Sequence, residues 1–366
     1  MSGSPTSCDV PSRRILIDGR YLLGPHRGIS IFTLNLLQNL PATCNQYFLI
    51  LPLSLKGRLD PSLDKFTLIF LPFFGHLIWE QLVVPLAILV LKPWRFYTPN
   101  GTGPLLMSPQ VSYFATIHDV SFLMPDNMPL TLVVKPYKLL GRIYRSLVTS
   151  SIIKKYDRLC TVSESAFNDI IHIFPSVEKK LTVIQHGRCV HERSPTCKHR
   201  ALVCITGSDP QKNFSRLYQA LNRLPDLSGW TLHVVGLSSK QYKQKLTNQL
   251  SIIYYPFLSN DAVRSLLDAS YACLLPSLHE SFGLPIVEAI NASCHVFASN
   301  TGAFMEVAGS CADYFDPASI ESISNTVNRR ISLFPSPLHI ESKRSFERRI
   351  RSWSSVAADY AFLLTN

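Results

Sequence analysis

The sequence predicts an α/β protein of two doubly wound, Rossmann-like domains, and three observations carry that expectation. At 366 residues the chain is long enough for two hydrophobic cores of ordinary size. Ile15–Asp18, a buried-strand pattern, enters the glycine-bearing loop Gly24-Pro25-His26-Arg27-Gly28-Ile29-Ser30 and then a helical pattern, as a doubly wound domain opens. The same order returns where Ala201–Thr206 enters Gly207-Ser208-Asp209-Pro210-Gln211-Lys212-Asn213 before another helix.

In the first half, Ser30 is placed to cap a helix with apolar residues at 31, 34, 36, 37 and 40. The loop glycines do not form G-x-G-x-x-G, so no dinucleotide site is expected. Strands follow at Tyr47–Leu53 and Phe66–Phe70, an apolar helix over 77–91, and strands at Phe96–Tyr97 and Val111–Ile117. The last of these ends in His118-Asp119. A polar pair there occupies the edge where open α/β sheets place ligand chemistry, although a histidine at a strand end also serves as a packed structural residue. A helical region spans 130–158, Leu159–Thr161 runs into a capped helix start, and Leu181–Ile184 is the last strand of this half. The polar linker carries Cys189-x-His191 and Cys197-x-His199, a spacing tighter than structural zinc sites use, and is not taken as a metal module. The second half has strands at Thr231–Gly236, Ile252–Leu258 and Tyr271–Pro276, a short helix over 260–270, and a final helix over Phe346–Leu364. The expected boundaries are a tail at 1–14, a first domain at 15–187, a linker at 188–200, a second domain at 201–340 and a terminal helix at 341–366.

Polar chemistry converges on His279-Glu280-Ser281-Phe282-Gly283-Leu284-Pro285-Ile286-Val287-Glu288-Ala289. Gly283 lets the backbone approach a ligand, and Pro285 suits the first turn of a helix, where its missing N–H has no partner to lose. The first-turn amides, roughly Phe282 to Ile286, then form a positive helix end that favours a phosphate. An ionised Glu288 one turn further in accepts two hydrogen bonds, as a ribose diol would donate, and Glu280 can do the same for a second set of hydroxyls. Phosphate, ribose and sugar hydroxyls together describe a nucleotide-sugar. Lys212 adds a compact positive charge at a turn, suited to a diphosphate leaving group whose charge grows as a glycosidic bond breaks.

Glu280 and Glu288, seven residues apart around Ser-Phe-Gly-Leu-Pro, resemble the E-x7-E motif of glycosyltransferase family 4, retaining enzymes of the GT-B fold. Ala298-Ser299-Asn300-Thr301-Gly302, Glu306-Val307-Ala308-Gly309 and Tyr314-Phe315-Asp316-Pro317 continue the resemblance, as does Gly207 to Asn213 with its lysine. It implies two domains facing a central cleft, and transfer of a sugar from a UDP-, GDP- or ADP-linked donor to a glycan or lipid-linked acceptor in envelope or exopolysaccharide synthesis, with a leaning towards a mannose-type donor. It implies Glu288 on the ribose, Glu280 and Ser281 at the donor sugar, and Lys212, Gly207 and the amides of Phe282, Gly283 and Leu284 at the phosphates. His118 would stand at the reaction centre, Gly28 would face the donor phosphates or acceptor, and Phe257 and Leu258 would meet the base through backbone groups. No Asp-x-Asp pair is present, so neither a metal nor another cofactor is expected. The chain departs from the family pattern at Gln211, where a frequent arginine would add a positive charge near the phosphates, and at Pro256, where a frequent glycine would meet the base; Ala292-Ser293-Cys294-His295 and Met305 also depart and are expected to alter the loop under the donor.

The formal charge of +11 implies a surface attracted to polyanions. Nucleic acid is not expected, because no recognition motif accompanies the charge. Lys135, Lys138, Arg142, Arg145, Lys154 and Lys155 stand among apolar residues at near-helical spacing, which suits either an anionic membrane surface or a solvated helix face. Leu82–Leu91 is too short to span a bilayer and contains Pro85. Nine unpatterned cysteines and no export signal suggest reduced thiols and a cytoplasmic location, peripheral on the inner membrane face. Two rival readings stay open: a catalytically silent GT-B binding protein, favoured by residues 211, 295 and 305, and a glycoside hydrolase. The hydrolase needs carboxylates flanking one bond, whereas Glu280 and Glu288 bracket a single helix start.

Overall fold

The structure is a computed structural model that describes residues 13–24, 28–41, 46–124, 136–189, 198–239, 248–334 and 340–366. The expected tail up to residue 12, loop residues 25–27, Lys135, His191 and Cys197 lie outside these residues. The chain divides into two compact units: the first holds residues up to Val162, Ala166–Gln185 and Trp353–Asn366, and the second Ser163–Ser165 and His186–Ser352.

Strands of the first unit read as nearly unbroken apolar runs because both faces of its sheet are covered; Ile15, Leu16, Ile17, Leu49, Phe96 and Phe114 have no exposed surface. They are β1 (Arg14–Asp18), β2 (Gln46–Pro52), β3 (Thr67–Leu71), β4 (Arg95–Thr98), β5 (Ser112–Ile117), β6 (Arg158–Thr161) and β7 (Leu181–Val183). Their order is β3-β2-β1-β4-β5-β6-β7, with every pair parallel. Parallel neighbours need crossovers. Helices supply most of them: α1 (Ile29–Asn39), α2 (His76–Ile78), a π-helical turn (Trp79–Val83), α3 (Val84–Leu91), α4 (Pro136–Lys155) and α5 (Glu164–Ile173). Ser30 does not cap α1. Gly28 holds the N-cap position at φ 52°, while Ser30 sits inside the first turn and donates to Tyr21 O at 2.7 Å.

β2 and β4 flank β1, so the chain reverses its winding there, and a buried ionic cluster fills the carboxyl end. Arg20 is 2% exposed and pairs with Asp18 at 3.5 Å and Glu80 at 2.5 Å. Trp79 Nε1 donates to Asp18 at 3.0 Å, Tyr144 OH donates to Glu80, and Arg20 Nη2 reaches Tyr21 and Thr102. Burial works against the Arg20 charge, but Tyr21, Asp18 and Glu80 outweigh it and hold the guanidinium firmly protonated. The π turn lets Trp79 and Glu80, adjacent in sequence, both point inward.

The second unit repeats the design with β8 (His199–Ile205), β9 (Thr231–Val235), β10 (Ser251–Tyr255), β11 (Ser270–Leu275), β12 (His295–Ser299) and β13 (Asp313–Phe315). These lie parallel in the order β10-β9-β8-β11-β12-β13. Helices α6 (Phe214–Asn222), α7 (Asn260–Ala269), α8 (Leu284–Asn291), α9 (Gly302–Ala308), α10 (Ile320–Ile331) and α11 (Ile340–Arg349) accompany them. The stretch 346–364 is not one helix. Arg188 takes the carbonyls of Ile350 and Arg351 at 3.0 and 2.9 Å, so the backbone leaves the helix before restarting as α12 (Trp353–Thr365). In the first unit α12 brings Tyr360 to 3.2 Å from Thr116 Oγ1 and Trp353 against Phe32. Among the described residues no helix is long and apolar enough to cross a membrane.

Truncating Glu80 leaves Arg20 buried with only Asp18 to balance it. Glu80→Ala is expected to lower the unfolding free energy by about 3–5 kcal/mol in urea titration, whereas the double change Arg20→Met, Glu80→Leu should cost less.

Candidate functional site

In the second unit the winding reverses between β8 and β11, the two strands that leave a crevice at their carboxyl ends. That topology brings together residues 68 positions apart. Lys212 follows β8 in a short 3-10 turn, Glu280 follows β11, and Lys212 Nζ lies 2.6 Å from Glu280 Oε1. Two further links fasten the loops. Leu278 N donates to Gln211 O at 2.8 Å, and Asn213 Nδ2 donates to Pro276 O and Pro317 O at 3.0 and 2.8 Å. Asn213 can do this because it adopts the left-handed conformation at φ 54°.

The Glu280 loop then turns into α8. Gly283 is left-handed at φ 88°, and a side-chain carbon there would collide with the Phe304 ring. Ser281 O accepts from the buried Ser163 hydroxyl at 2.5 Å, and Phe282 packs edge-on to His186 with ring centroids 4.7 Å apart. Residues 281 and 282 are thereby held in place where α8 starts at Leu284, but the run of free amides is shorter than expected, since Pro285 has no N–H and Ile286 N donates to Gly283 O at 2.9 Å. Pro285 occupies this first turn.

Glu288 lies one turn into α8 and is half-buried, and its carboxylate makes no hydrogen bond among the described residues. Burial pushes its pKa up to about 7, against the attraction of Arg264. A carboxylate held ready to ionise beside a helix N-terminus has an unfilled capacity for two donors. Gly207 stands in open space at the end of β8. Phe257 and Leu258 follow β10 at the same edge of the sheet, Phe257 being 54% exposed.

The first unit holds the other two candidates. His118 follows β5, and its Nε2 lies 2.9 Å from Pro99 O, so the ring donates from Nε2 and keeps Nδ1 as an acceptor. Burial pulls its pKa down to about 4, with the Pro99 bond and Asp119 opposing, which leaves a neutral imidazole at physiological pH. Phe32 of α1 packs edge-on against that ring at 4.6 Å, and Phe32 N bonds to Gly28 O, so Gly28 and His118 are linked through one helical turn. Asp119 instead serves the turn, accepting from Ser121 N and Oγ at 2.7 and 3.0 Å.

Three residues of the second crevice carry no obvious mark in the sequence. Thr206 Oγ1, at the end of β8, is buried without a hydrogen-bond partner among the described residues. Gly236 ends β9 at φ 108°, where a side chain would strike Thr206 O, so glycine there lets β9 approach the β8 loop. Asn213 is the third, and its sequence signal is its place at the end of the Gly207 to Asn213 run that resembles the family loop. One expectation is corrected. His295 begins β12 and packs, its ring tilted, against Tyr271 at 4.7 Å between centroids, so 292–295 lies at the amino edge of the sheet and does not shape a loop beside Glu280. Met305 sits on α9, 47% exposed.

Residues 197–343 match the family described as "Glycosyl transferases group 1". Over 222 residues the chain is 29% identical to an MMP alpha-(1->4)-mannosyltransferase of Mycolicibacterium hassiacum, covering 57% of this chain and 53% of that protein. It is 25% identical over 260 residues to the O-antigen chain mannosyltransferase B of Escherichia coli, covering 64% of each. The chain thus spans somewhat more than half the length of these relatives. Among solved structures it is similar to WaaG, a glycosyltransferase involved in lipopolysaccharide biosynthesis, with a TM-score of 0.68 at 15% identity over 96% of this chain and 100% of that one. It is also similar to Anabaena HepE in complex with UDP and glucose, with a TM-score of 0.70 at 15% identity over 96% and 99%. These likenesses show the GT-B fold.

The raised pKa of Glu288 favours the protonated fold. Its contribution is complete below the ordinary value of 4.5 and is lost as pH rises through about 7. Glu288→Gln is therefore expected to flatten the decline in urea stability between pH 5 and pH 8, gaining about 2 kcal/mol on the wild type across that window.

Proposed function

From the premise that the chain is a GT-B-fold protein related to the group 1 glycosyl transferases, we propose that it transfers a sugar from a nucleotide-sugar to a glycan or lipid-linked acceptor, with retention at the anomeric carbon. One observation carries this reading: Lys212 and Glu280, remote in sequence, meet at the switch point of the second unit beside the N-terminus of α8, with Glu288 one turn inside it.

Each group has a place in that chemistry. Lys212 and the first-turn amides face a diphosphate whose negative charge increases as the sugar–phosphate bond breaks. Glu288 accepts from the ribose diol. Glu280, released from part of its attraction to Lys212 by the phosphate, accepts from the sugar hydroxyls. Thr206 Oγ1 offers a further polar contact at the end of β8. His118, neutral at physiological pH, keeps the reaction-centre role that the family resemblance implies for it. Retention rests on the E-x7-E resemblance. Lys212 supplies the positive charge that a metal provides in other transferases, so we propose metal-independent transfer. Two relatives named as mannosyltransferases favour a mannose donor, and WaaG and the O-antigen relative favour envelope polysaccharide as the setting. Lipid-linked acceptors of that setting favour work at the inner membrane face.

A thermal-shift series with UDP, GDP and ADP, followed by their sugars, is expected to single out one nucleotide, and radiolabelled transfer then identifies the sugar. Lys212→Ala and Glu280→Gln should each lower kcat/KM by at least about 100-fold, as loss of a charge-stabilising group does. Nucleotide affinity should rise from pH 6 to pH 8 as Glu288 ionises and stay level in Glu288→Gln. Transfer should survive a chelator. Unchanged turnover in both charge variants would refute the assignment, binding without turnover across acceptors would favour the silent protein, and sugar release from a glycan without nucleotide would favour a hydrolase.

A further inference from the structure

Lys198 directly precedes β8, and its ammonium closes the carboxyl ends of two helices at once. Nζ donates to Leu267 O and Asp268 O in the last turn of α7, at 3.1 and 2.8 Å, and to Ala292 O just beyond α8 at 2.7 Å. An ammonium has three protons, and these three carbonyls match them. A helix leaves its last carbonyls without partners and its carboxyl end negative, so one cation answers both needs for both helices. Cys294, which follows α8, tightens the junction: its Sγ lies 3.9 Å from Nζ and donates to Leu267 O at 2.9 Å.

The junction lies at the amino edge of the second sheet, a helix length away from the crevice. Every strand there is parallel, so α7 and α8, which link β10 to β11 and β11 to β12, start at the carboxyl edge and end beside Lys198. α8 has eight residues and is about 12 Å long, so holding Ala292 sets where Leu284 and Glu288 stand. Ala292 N donates to Glu288 O at 2.9 Å, which joins the held residue to Glu288 through one helical hydrogen bond. α7 begins after Phe257 and Leu258 and carries Arg264, whose charge attracts Glu288. The buried Cys273 thiol of β11 also feels the Glu288 charge. β8 itself runs from Lys198 to Thr206, Gly207 and the turn of Lys212. One side chain thus ties together three elements whose opposite ends form the crevice. Slippage of α8 by a single residue along its axis would carry Glu288 about 1.5 Å.

We infer that Lys198 is a positioning residue for the candidate donor site, holding α8 and with it Glu288 in register with α7 and β8. The inference deepens the proposed function, on which it rests for the role of the crevice, but its first test contains no nucleotide. Urea stability is measured from pH 5 to pH 8 in the wild type, in Lys198→Met, and in each combined with Glu288→Gln, so that the difference isolates the Glu288 contribution. A freed α8 lets water reach Glu288. In Lys198→Met its ionisation midpoint should therefore move down from about 7 towards 4.5, and the decline over this window should shrink by about half or more. Loss of a distant positive charge acting through space would instead move the midpoint up, since a cation favours the ionised carboxylate. Lys198→Arg, which keeps a charged donor, should retain the wild-type decline. Where Lys198→Met fails to fold, Lys198→Gln, with two amide protons and no charge, carries the same comparison. In the transfer assay kcat/KM of Lys198→Met should fall about 100-fold, the cost of a displacement of about 1 Å. An unchanged or upward midpoint, even with a lower Tm, would overturn the inference and leave Lys198 a helix cap alone. A chain that binds no nucleotide but whose midpoint falls in Lys198→Met would remove the transfer reading and keep the positioning.

Discussion

The contact between Lys212 and Glu280 exists because β11 lies beside β8 although β9 and β10 separate them in the chain. In a parallel sheet all carboxyl ends lie on one side, and the loops after two adjacent strands diverge only where the winding reverses. Everything assigned to the second unit depends on that reversal: the open space at Gly207, the α8 N-terminus and the orphan hydroxyl of Thr206 lie where the two loops part. The ion pair itself adds little stability, since Lys212 is 37% exposed and solvent screens it. Its value lies in position. A cation and a carboxylate held at 2.6 Å keep each other ordered at the carboxyl edge of the sheet.

The first unit uses its reversal differently. Between β1 and β4 the charges are sealed in, with Asp18, Arg20 and Glu80 each at most 2% exposed and tied to Trp79, Tyr21 and Tyr144. Such buried pairs give shape more than chemistry, since replacing one by apolar residues often costs little, and here Asp18 Oδ2, Arg20 Nε and Arg20 Nη1 make no hydrogen bond among the described residues. They fix the relation of the β1 loop to the helices over 76–91 and α4. Within 76–91 the π turn directs Trp79 and Glu80 inward while Leu82 stays outside.

Much of the candidate site is legible in the residues because its signals are local. A glycine before a leucine-proline pair marks a helix start, and two glutamates seven apart fall on either side of it. Elsewhere the local signal misleads. Ser30 has the composition of a cap but lies within the helix, since Gly28 takes the left-handed position that the turn requires. His295 appears close to the site along the chain yet sits at the far edge, because α8 carries the backbone from the carboxyl edge of the sheet back to the amino edge. Gly236 and Asn213 are common residues in turns, and only their packing against Thr206, Pro276 and Pro317 shows why those turns need them.

By itself the sequence determined two alternations of buried strand and helix, the glycine loops that open them, and the Glu280–Glu288 spacing around a helix start. These follow from short-range physics: side-chain periodicity, backbone freedom at glycine and the fixed φ of proline. Strand order, the meeting of Lys212 with Glu280, and the burial that lifts the Glu288 pKa to about 7 and lowers that of His118 to about 4 were decided only by tertiary structure. Each of those depends on which distant segments exclude water from one another, and no local pattern of residues encodes that.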